Sequence, residues 1–406
     1  MTTRAHDRQR MRVGVAGLGL AARLVLPEIA AHPHARIIAG ADPRQAAREA
    51  FASQFEARAY PSIDGLCASS DVDLVYILTP NRLHAAHAIV AADHRKQIIL
   101  DKPLGISLVE ADRAIAAAER NGVRLLVGHM QSLDAPIRRM AQIVGSGALG
   151  RLLMVNTWFF SDWLYRPRSL DELDPAAGEG LVLRQGPVQV DIVRMIGGGL
   201  ARSVRASTSR IDPQRPIEGS YVAYASFAND AGATLVYSGH AFFDSAELTY
   251  GVGLQGYQVE PTTHLRSREL IESFADRAAE VAYKDSTRYG GGGRGSPPDP
   301  SRRRHAFFGL TVASCENGDV RQTPTGLAIY DARGAHDEPV AAGENFGQRY
   351  TSAELDIMYQ AWSTDAPLAS HDGIWAKGTL EVCLAILESA SQRREVVLAY
   401  QTPFPR

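Results

Sequence analysis

Cysteine is scarce: Cys67, Cys315 and Cys383 are the only three in 406 residues, widely spaced and without a CxxC pair. That spacing excludes a disulfide framework and a zinc ribbon, so the three are expected to be reduced, mostly buried thiols, with no metal site. A surplus of charge is also missing. The 43 Lys and Arg against 45 Asp and Glu give a formal net charge of −2, which denies the chain the basic field that nucleic-acid binding needs. No apolar run approaches the roughly 20 residues of a membrane-spanning helix, and Met1 to Met11 lacks the apolar centre of a secretory leader. A cytoplasmic protein without nucleic-acid or membrane partners is expected. No repeat of fixed period is present, which disfavours solenoids and propellers.

With 45% hydrophobic and 22% charged residues, the chain can fill two globular domains and is not intrinsically disordered. After a tail over 1–10, short apolar runs alternate with amphipathic ones from Arg12 to about His129. Strands are predicted at Arg12 to Ala16, Arg36 to Ala41, Asp73 to Leu78, Gln97 to Leu100 and Val123 to Val127. Helices separate them. The best marked, Ser107 to Arg120, opens on Ser107 and Glu110 at capping-box spacing and stops at Asn121-Gly122. The pattern predicts an α/β fold: an N-terminal Rossmann doubly wound parallel sheet, binding a dinucleotide, over 11–134.

Over 135–406 the pattern predicts a C-terminal α+β domain with a large, mostly antiparallel sheet. Its strand candidates are Leu152 to Phe160, Ser203 to Ile211, Ser220 to Phe227, Ala233 to Phe242 and Phe307 to Ser314. Two apolar helical stripes follow, Leu355, Met358, Tyr359 and Trp362, then Trp375, Val382, Cys383, Ile386 and Leu387, read as core. Gly290 to Pro300 has no strand before it, so it reads as part of a flexible surface loop at about 289–302 rather than a phosphate loop, beside solvated Arg302, Arg303 and Arg304.

Gly17-Leu18-Gly19-Leu20-Ala21-Ala22 follows the first strand and opens the first helix, matching GxGxxA. Gly17 permits the tight turn, Gly19 lets backbone N–H groups reach a pyrophosphate, and Ala22 allows close packing. Asp42 lies 25 residues after Gly17, at the end of the second strand. A carboxylate there accepts from ribose hydroxyls and repels a 2′-phosphate, favouring NAD over NADP, a preference that Arg44 can soften. Thr79-Pro80-Asn81, with His84 just beyond, Asp101-Lys102-Pro103 and Gly128-His129 converge on the same carboxyl edge. A lysine at that edge can act as a general base if its pKa is lowered. The cofactor set is therefore Gly17, Gly19, Leu20, Ala21, Asp42, Arg44, Thr79, Pro80, Asn81, His84, Asp101 and Lys102.

The glycine motif, the T-P-N segment, the D-K-P variant of E-K-P and a second α+β domain together resemble the glucose-fructose oxidoreductase and inositol dehydrogenase (Gfo/Idh/MocA) family over nearly the whole chain. The resemblance implies that Lys102 is catalytic and that the second domain's sheet joins copies into a homo-oligomer, dimer or tetramer. Phe160 to Arg168, Arg184-Gln185-Gly186, Asp191 to Arg194 and Gly197 to Gly199 are similar to the branch that contains phthalate dihydrodiol dehydrogenase, as are Phe308 to Leu310 and Ser314 to Asp319. Family sugar dehydrogenases carry D-x-G-x-H here, whereas this chain has Arg184 and Val188. That branch has a histidine where this chain has Val188, so proton removal falls to Lys102 alone or to His129.

Arg184 offers a planar guanidinium suited to a carboxylate, and neither Arg184 nor Val188 can accept a sugar hydroxyl proton. The expected substrate is a small carboxylated ring. Arg184 and Gln185 would hold it, with Arg166 and Arg168 as a second clamp and Trp163 and Tyr165 as an apolar wall. The expected enzyme is an NAD(P)-dependent dehydrogenase with Lys102, Arg184 and His129 as catalytic residues, Arg184 facing the nicotinamide across an interdomain cleft. It would oxidise the carbinol of an aromatic cis-dihydrodiol to a catechol. The alternatives are a sugar or cyclitol dehydrogenase, and a repurposed NAD-binding member or sensor.

Overall fold

Two patterns of hydrophobic residues build two separate sheets. The computed structural model describes residues 10–128, 130–260, 263–291, 299–341 and 350–405. In the first sheet, β1 (Met11–Ala16), β2 (Ala35–Ala41), β3 (Arg58–Tyr60), β4 (Leu74–Ile77), β5 (Gln97–Asp101) and β6 (Leu125–Gly128) lie in the order β3-β2-β1-β4-β5-β6, all parallel. This is the doubly wound sheet that the sequence predicts, with its switch point between β1 and β4. Five strands are expected and six are found. The extra β3 has three residues and stands at an edge, too short to carry a periodic signal. The helix at Leu108–Asn121 has the predicted ends: Ser107 Oγ accepts from Glu110 N at 3.2 Å, and Gly122 closes it at φ 63°.

The second sheet comprises β7 (Leu152–Phe160), β8 (Ala201–Ser209), β9 (Ser220–Phe227), β10 (Gly232–Ser238), β11 (Leu310–Cys315), β12 (Gly318–Thr323), β13 (Gly326–Asp331), β14 (Gly334–Pro339) and β15 (Val396–Val397). Their order is β14-β13-β12-β11-β7-β10-β9-β8-β15, antiparallel except for β7 beside β10. β7 and β9 fall where the sequence places them. β8 and β10 end before the expected Ile211 and Phe242, and β11 begins only at Leu310. Four further strands are found. β12 to β14 form a meander whose strands begin at Gly318, Gly326 and Gly334, and β14 alternates between intermediate and exposed positions with no apolar face to read.

The chain divides into two compact units, and the division is not a single cut at 134/135. The first unit comprises Met1–Gly128, Asp285–Gly295 and Arg349–Lys377; the second comprises His129–Lys284, Ser296–Gln348 and Gly378–Arg406. The two late segments belong to the first unit because they supply part of its core: Tyr289, Leu355 and Met358 pack with Val13, Val15, Leu26, Ile29 and Leu126. Tyr289 and Gly290, expected in a flexible loop, are thus anchored. Arg303 is buried rather than solvated. All three cysteines are buried and free. Among the described residues, no helix is long and apolar enough to cross a membrane.

One buried acid marks how the helix Tyr350–Thr364 meets the sheet. Glu354 is 1% exposed, and its carboxyl accepts the Tyr76 hydroxyl from β4. It fills the room left by Gly128, where any β-carbon would collide with it. Burial pushes this carboxyl up to about 8, against the pull of the Tyr76 hydrogen bond and with added repulsion from Asp101 and Glu28. The folded state therefore keeps a proton that the unfolded chain releases near its ordinary 4.5. The stabilising contribution is complete below that value and is lost as pH rises through about 8. Urea denaturation at pH 5 and pH 8 should show the natural chain losing more stability between the two than Glu354→Gln does; equal losses would place the proton elsewhere.

Candidate active site

The predicted cofactor residues come together at the carboxyl edge of the first sheet. Gly17 adopts φ 92°, and a Cβ there would stand 2.7 Å from the backbone carbonyl of Leu78, so only glycine fits between the turns that follow β1 and β4. Gly19, by contrast, faces open space, with nothing within 4 Å of an added Cβ. Leu20 and Ala21 are partly exposed beside it, and the helix Ala22–Ala31 starts without a side-chain cap. Its first-turn N–H groups suit a pyrophosphate. Asp42 is buried, accepting from Leu18 N at 2.9 Å and from Arg44 N and Nε at 2.9 and 3.1 Å. These residues fit a dinucleotide: a glycine cradle, an uncapped helix start and a ribose-side carboxylate.

Beyond them, Thr79, Pro80 and Asn81 form the turn after β4, and the helix His84–Asp93 follows. His84 is buried with its ring between two carbonyls, Nδ1 at 2.7 Å from Pro103 and Nε2 at 2.6 Å from Thr79. It ties the turn after β4 to the turn after β5, where Asp101 ends the strand and Lys102 and Pro103 join through a cis peptide bond. Burial pushes the His84 imidazole below its usual range, and a neutral ring donates to only one of those carbonyls. His87 backs the same turn through Thr79 Oγ1 at 2.9 Å. His129 lies outside the described residues.

The predicted substrate residues gather in the second unit, in an arrangement the sequence does not foresee. Arg184 Nη1 meets Glu172 Oε1 at 3.4 Å and Glu179 Oε2 at 2.5 Å. Lys284, buried and distant in sequence, reaches the same Glu172 oxygen at 3.4 Å. Arg168 is buried, with its guanidinium 4.0 Å above the Trp163 ring, Nη2 on the Trp163 carbonyl at 2.7 Å, and a buried Nε without a partner. Trp163 is therefore covered by Arg168 rather than open as a wall. Arg166 pairs with Asp162 at 3.1 Å, apart from Arg168 in role, and Arg268 lies 4.5 Å over Tyr165. Gln185 is partly exposed at the turn between the helices Leu181–Arg184 and Gly186–Ile196.

Arg184 and Lys284 thus share Glu172, Arg184 also reaches Glu179, and Arg168 lies near enough for its charge and that of Glu172 to act on one another. Burial opposes the charge on Glu172, yet Arg184, Lys284 and Arg168 overcome it and hold the carboxyl at about 2. Burial pulls Lys284 down to about 8 and Arg168 to about 9, in each case more strongly than Glu172 restores them. Sequence reading misses Glu172, Glu179 and Lys284. The acidic run Asp171 to Glu179 beside two arginines is the one available signal; for Lys284 there is none. Val188 lies on a helix whose residues are all buried, and the neighbouring Gln189 carries the polar bonds, accepting from Tyr221 at 2.6 Å and donating to Thr157 at 3.1 Å.

Comparison with known proteins agrees with both units. Residues 11–129 match the oxidoreductase family with an NAD-binding Rossmann fold, and residues 137–253 match the GFO/IDH/MocA C-terminal domain. The chain is 32% identical over 379 residues to 1-carboxy-3-chloro-3,4-dihydroxycyclohexa-1,5-diene dehydrogenase of Comamonas testosteroni, spanning 93% of this chain and 94% of that one. A solved structure of a candidate dehydrogenase from Bordetella bronchiseptica is similar at 36% identity and a TM-score of 0.88, over 96% of this chain and all of the other. The fold is shared with an Agrobacterium radiobacter oxidoreductase solved with NAD+, at 19% identity and a TM-score of 0.69, over 96% of this chain and 98% of that one. The chain is an NAD-binding oxidoreductase of the Gfo/Idh/MocA family.

Proposed function

We propose that this enzyme oxidises a ring carbinol of a carboxylated cyclic cis-dihydrodiol, of the phthalate 4,5-dihydrodiol type. The observation that carries the reading is the convergence of Arg184, Lys284 and Arg168 around Glu172, a concentration of guanidinium and ammonium groups suited to a substrate carboxylate. The Comamonas relative supports it, since its named substrate bears a carboxyl group and a vicinal diol on a cyclohexadiene ring.

Lys102 takes the hydroxyl proton at its Nζ as the carbinol carbon gives up its hydrogen with both electrons. NAD, when bound, supplies the hydride acceptor. The ketone so formed is a hydroxyenone that tautomerises to a catechol, and aromatisation draws the reaction towards oxidation. Arg184 and Lys284 hold the carboxylate of the substrate, while Glu172 and Glu179 keep their cations in place. His84 keeps the Lys102–Pro103 turn in register with the Thr79 turn. Orientation supplies more of the acceleration than proton transfer, which is worth roughly 10²- to 10⁴-fold.

The same reading includes a homo-oligomer joined through the second sheet. Val222, Val236, Trp158 and Leu310 are successive register partners across β9, β10, β7 and β11, and Met154, Trp158, Val222 and Tyr224 are exposed. An apolar sheet face of this kind is a site of association.

With NAD and the cis-dihydrodiol of phthalate, absorbance at about 340 nm should rise. Lys102→Ala should lower kcat about 10²-fold or more with little change in NAD affinity; an unchanged kcat removes Lys102 from the chemistry. Arg184→Leu should raise KM for the carboxylated diol about tenfold or more, and an unaltered KM eliminates the anion site. Trp158→Glu should lower the mass seen by light scattering; an unchanged mass places the contact elsewhere.

A further inference from the structure

Residues 285–291 return to the first unit from far along the chain and lie across the turns that receive the adenosine end of a dinucleotide. Arg23, in the first helix, donates from Nη1 to the carbonyls of Thr287 and Arg288 at 2.9 and 3.4 Å. Tyr289 N approaches the Gly19 carbonyl at 3.4 Å. The Tyr289 ring is packed in the core with Ala47 and Phe51, and its hydroxyl donates to Gln54 Oε1 at 2.6 Å. Gly290, at φ 81°, passes so close to the helix Gln45–Phe55 that an added Cβ would stand 3.0 Å from the Ala46 carbonyl. The Tyr289 carbonyl is therefore fixed from the ring, from the backbone and from the turn on either side.

That carbonyl faces Arg44. An arginine just past the second strand is the residue type that accommodates the 2′-phosphate of NADP. Here each of its guanidinium nitrogens already has an acceptor. Nε lies 3.1 Å from Asp42 Oδ1, and Nη1 lies 3.5 Å from the Tyr289 carbonyl. Nη2 lies 2.5 Å from the Leu18 carbonyl and 3.4 Å from Asp42 Oδ2. Turning towards a phosphate would strip the Leu18 and Tyr289 carbonyls of their donor and leave the buried Asp42 without its counter-ion.

We propose that Tyr289 makes this enzyme select NAD against NADP, by holding the Arg44 guanidinium on Asp42 and Leu18 where a 2′-phosphate cannot engage it. Asp42 alone would disfavour the phosphate by repulsion. Tyr289 adds the second half of the discrimination, because it keeps the one nearby cation from cancelling that repulsion.

The test is direct binding without substrate, so its result is independent of the dihydrodiol reading. NAD and NADP are titrated by intrinsic fluorescence into the natural chain, Tyr289→Ala and Tyr289→Ala/Arg44→Ala, with a thermal melt of each. The expected result is an NADP-to-NAD affinity ratio about tenfold higher in Tyr289→Ala, lost again in the double variant. An unchanged ratio in the single variant overturns the proposal, as does a gain that survives the loss of Arg44. Should Tyr289→Ala fail to fold, Arg23→Ala loosens the same segment from its other side and leaves the core intact. It should show the same direction of change, and a ratio equal to that of the natural chain would also overturn the proposal.

Discussion

The backbone of Gly17 lies against that of Leu78 and Thr79, with no space for even a methyl group between them. Two turns from non-adjacent parts of the chain are thereby held at a fixed separation, and the remaining candidate cofactor residues are placed relative to that contact. Leu18 N, one residue on, reaches Asp42; Thr79, on the other side, accepts from His84 or lends its hydroxyl to His87; His84 in turn touches Pro103, next to Lys102. Every step is a short polar contact among buried or half-buried groups, where an unmade hydrogen bond costs about 1–3 kcal/mol. A side chain at Gly17 would push the turns apart and loosen them all together.

The second unit handles charge differently. Around Glu172 two of its cations, Arg168 and Lys284, are drawn inward, and burial works against the charge of both. Glu172 stays ionised because Arg184, Lys284, Arg168 and the Ser169 N–H outweigh its burial, and burial pulls Lys284 down even with Glu172 beside it. Such a cluster is costly unless each charge has company.

Much of the first sheet was legible because its signals are local. The glycine motif, the Ser107 cap and the apolar runs of β1, β4 and β5 each sit within a few residues, and all appear where the spacing predicts. The meander from β12 to β14 was missed because β12 and β14 are mostly polar and the apolar run of β13 is only Leu327 to Tyr330, so no alternating stripe stands out; the glycines opening each strand were the remaining trace. The site residues divide in the same way. Asp42, Arg44 and Lys102 sit at strand ends and could be found, while Lys284, Tyr289 and Glu354 reach their places through tertiary packing, across separations no local pattern spans. Arg184 was legible as a residue, but its pairing with Glu172 and Glu179 was not, since a guanidinium suited to a ligand is equally suited to the protein's own carboxylates.

The late return of Leu355 and Met358 to the core of the first unit has a consequence for synthesis. A nascent chain that has emerged through Gly128 holds all six strands of the first sheet yet lacks the helix that covers part of it. At about 5–20 residues per second, the roughly 220 residues still to come occupy on the order of 10 to 45 s. Throughout that interval Ile29, Leu126 and their neighbours lack the cover of Leu355 and Met358, while all of the second unit but its last segment emerges. Ribosome-bound intermediates of this protein are thus natural clients for a holding chaperone, and the final closure of the dinucleotide domain is among the last events of its folding.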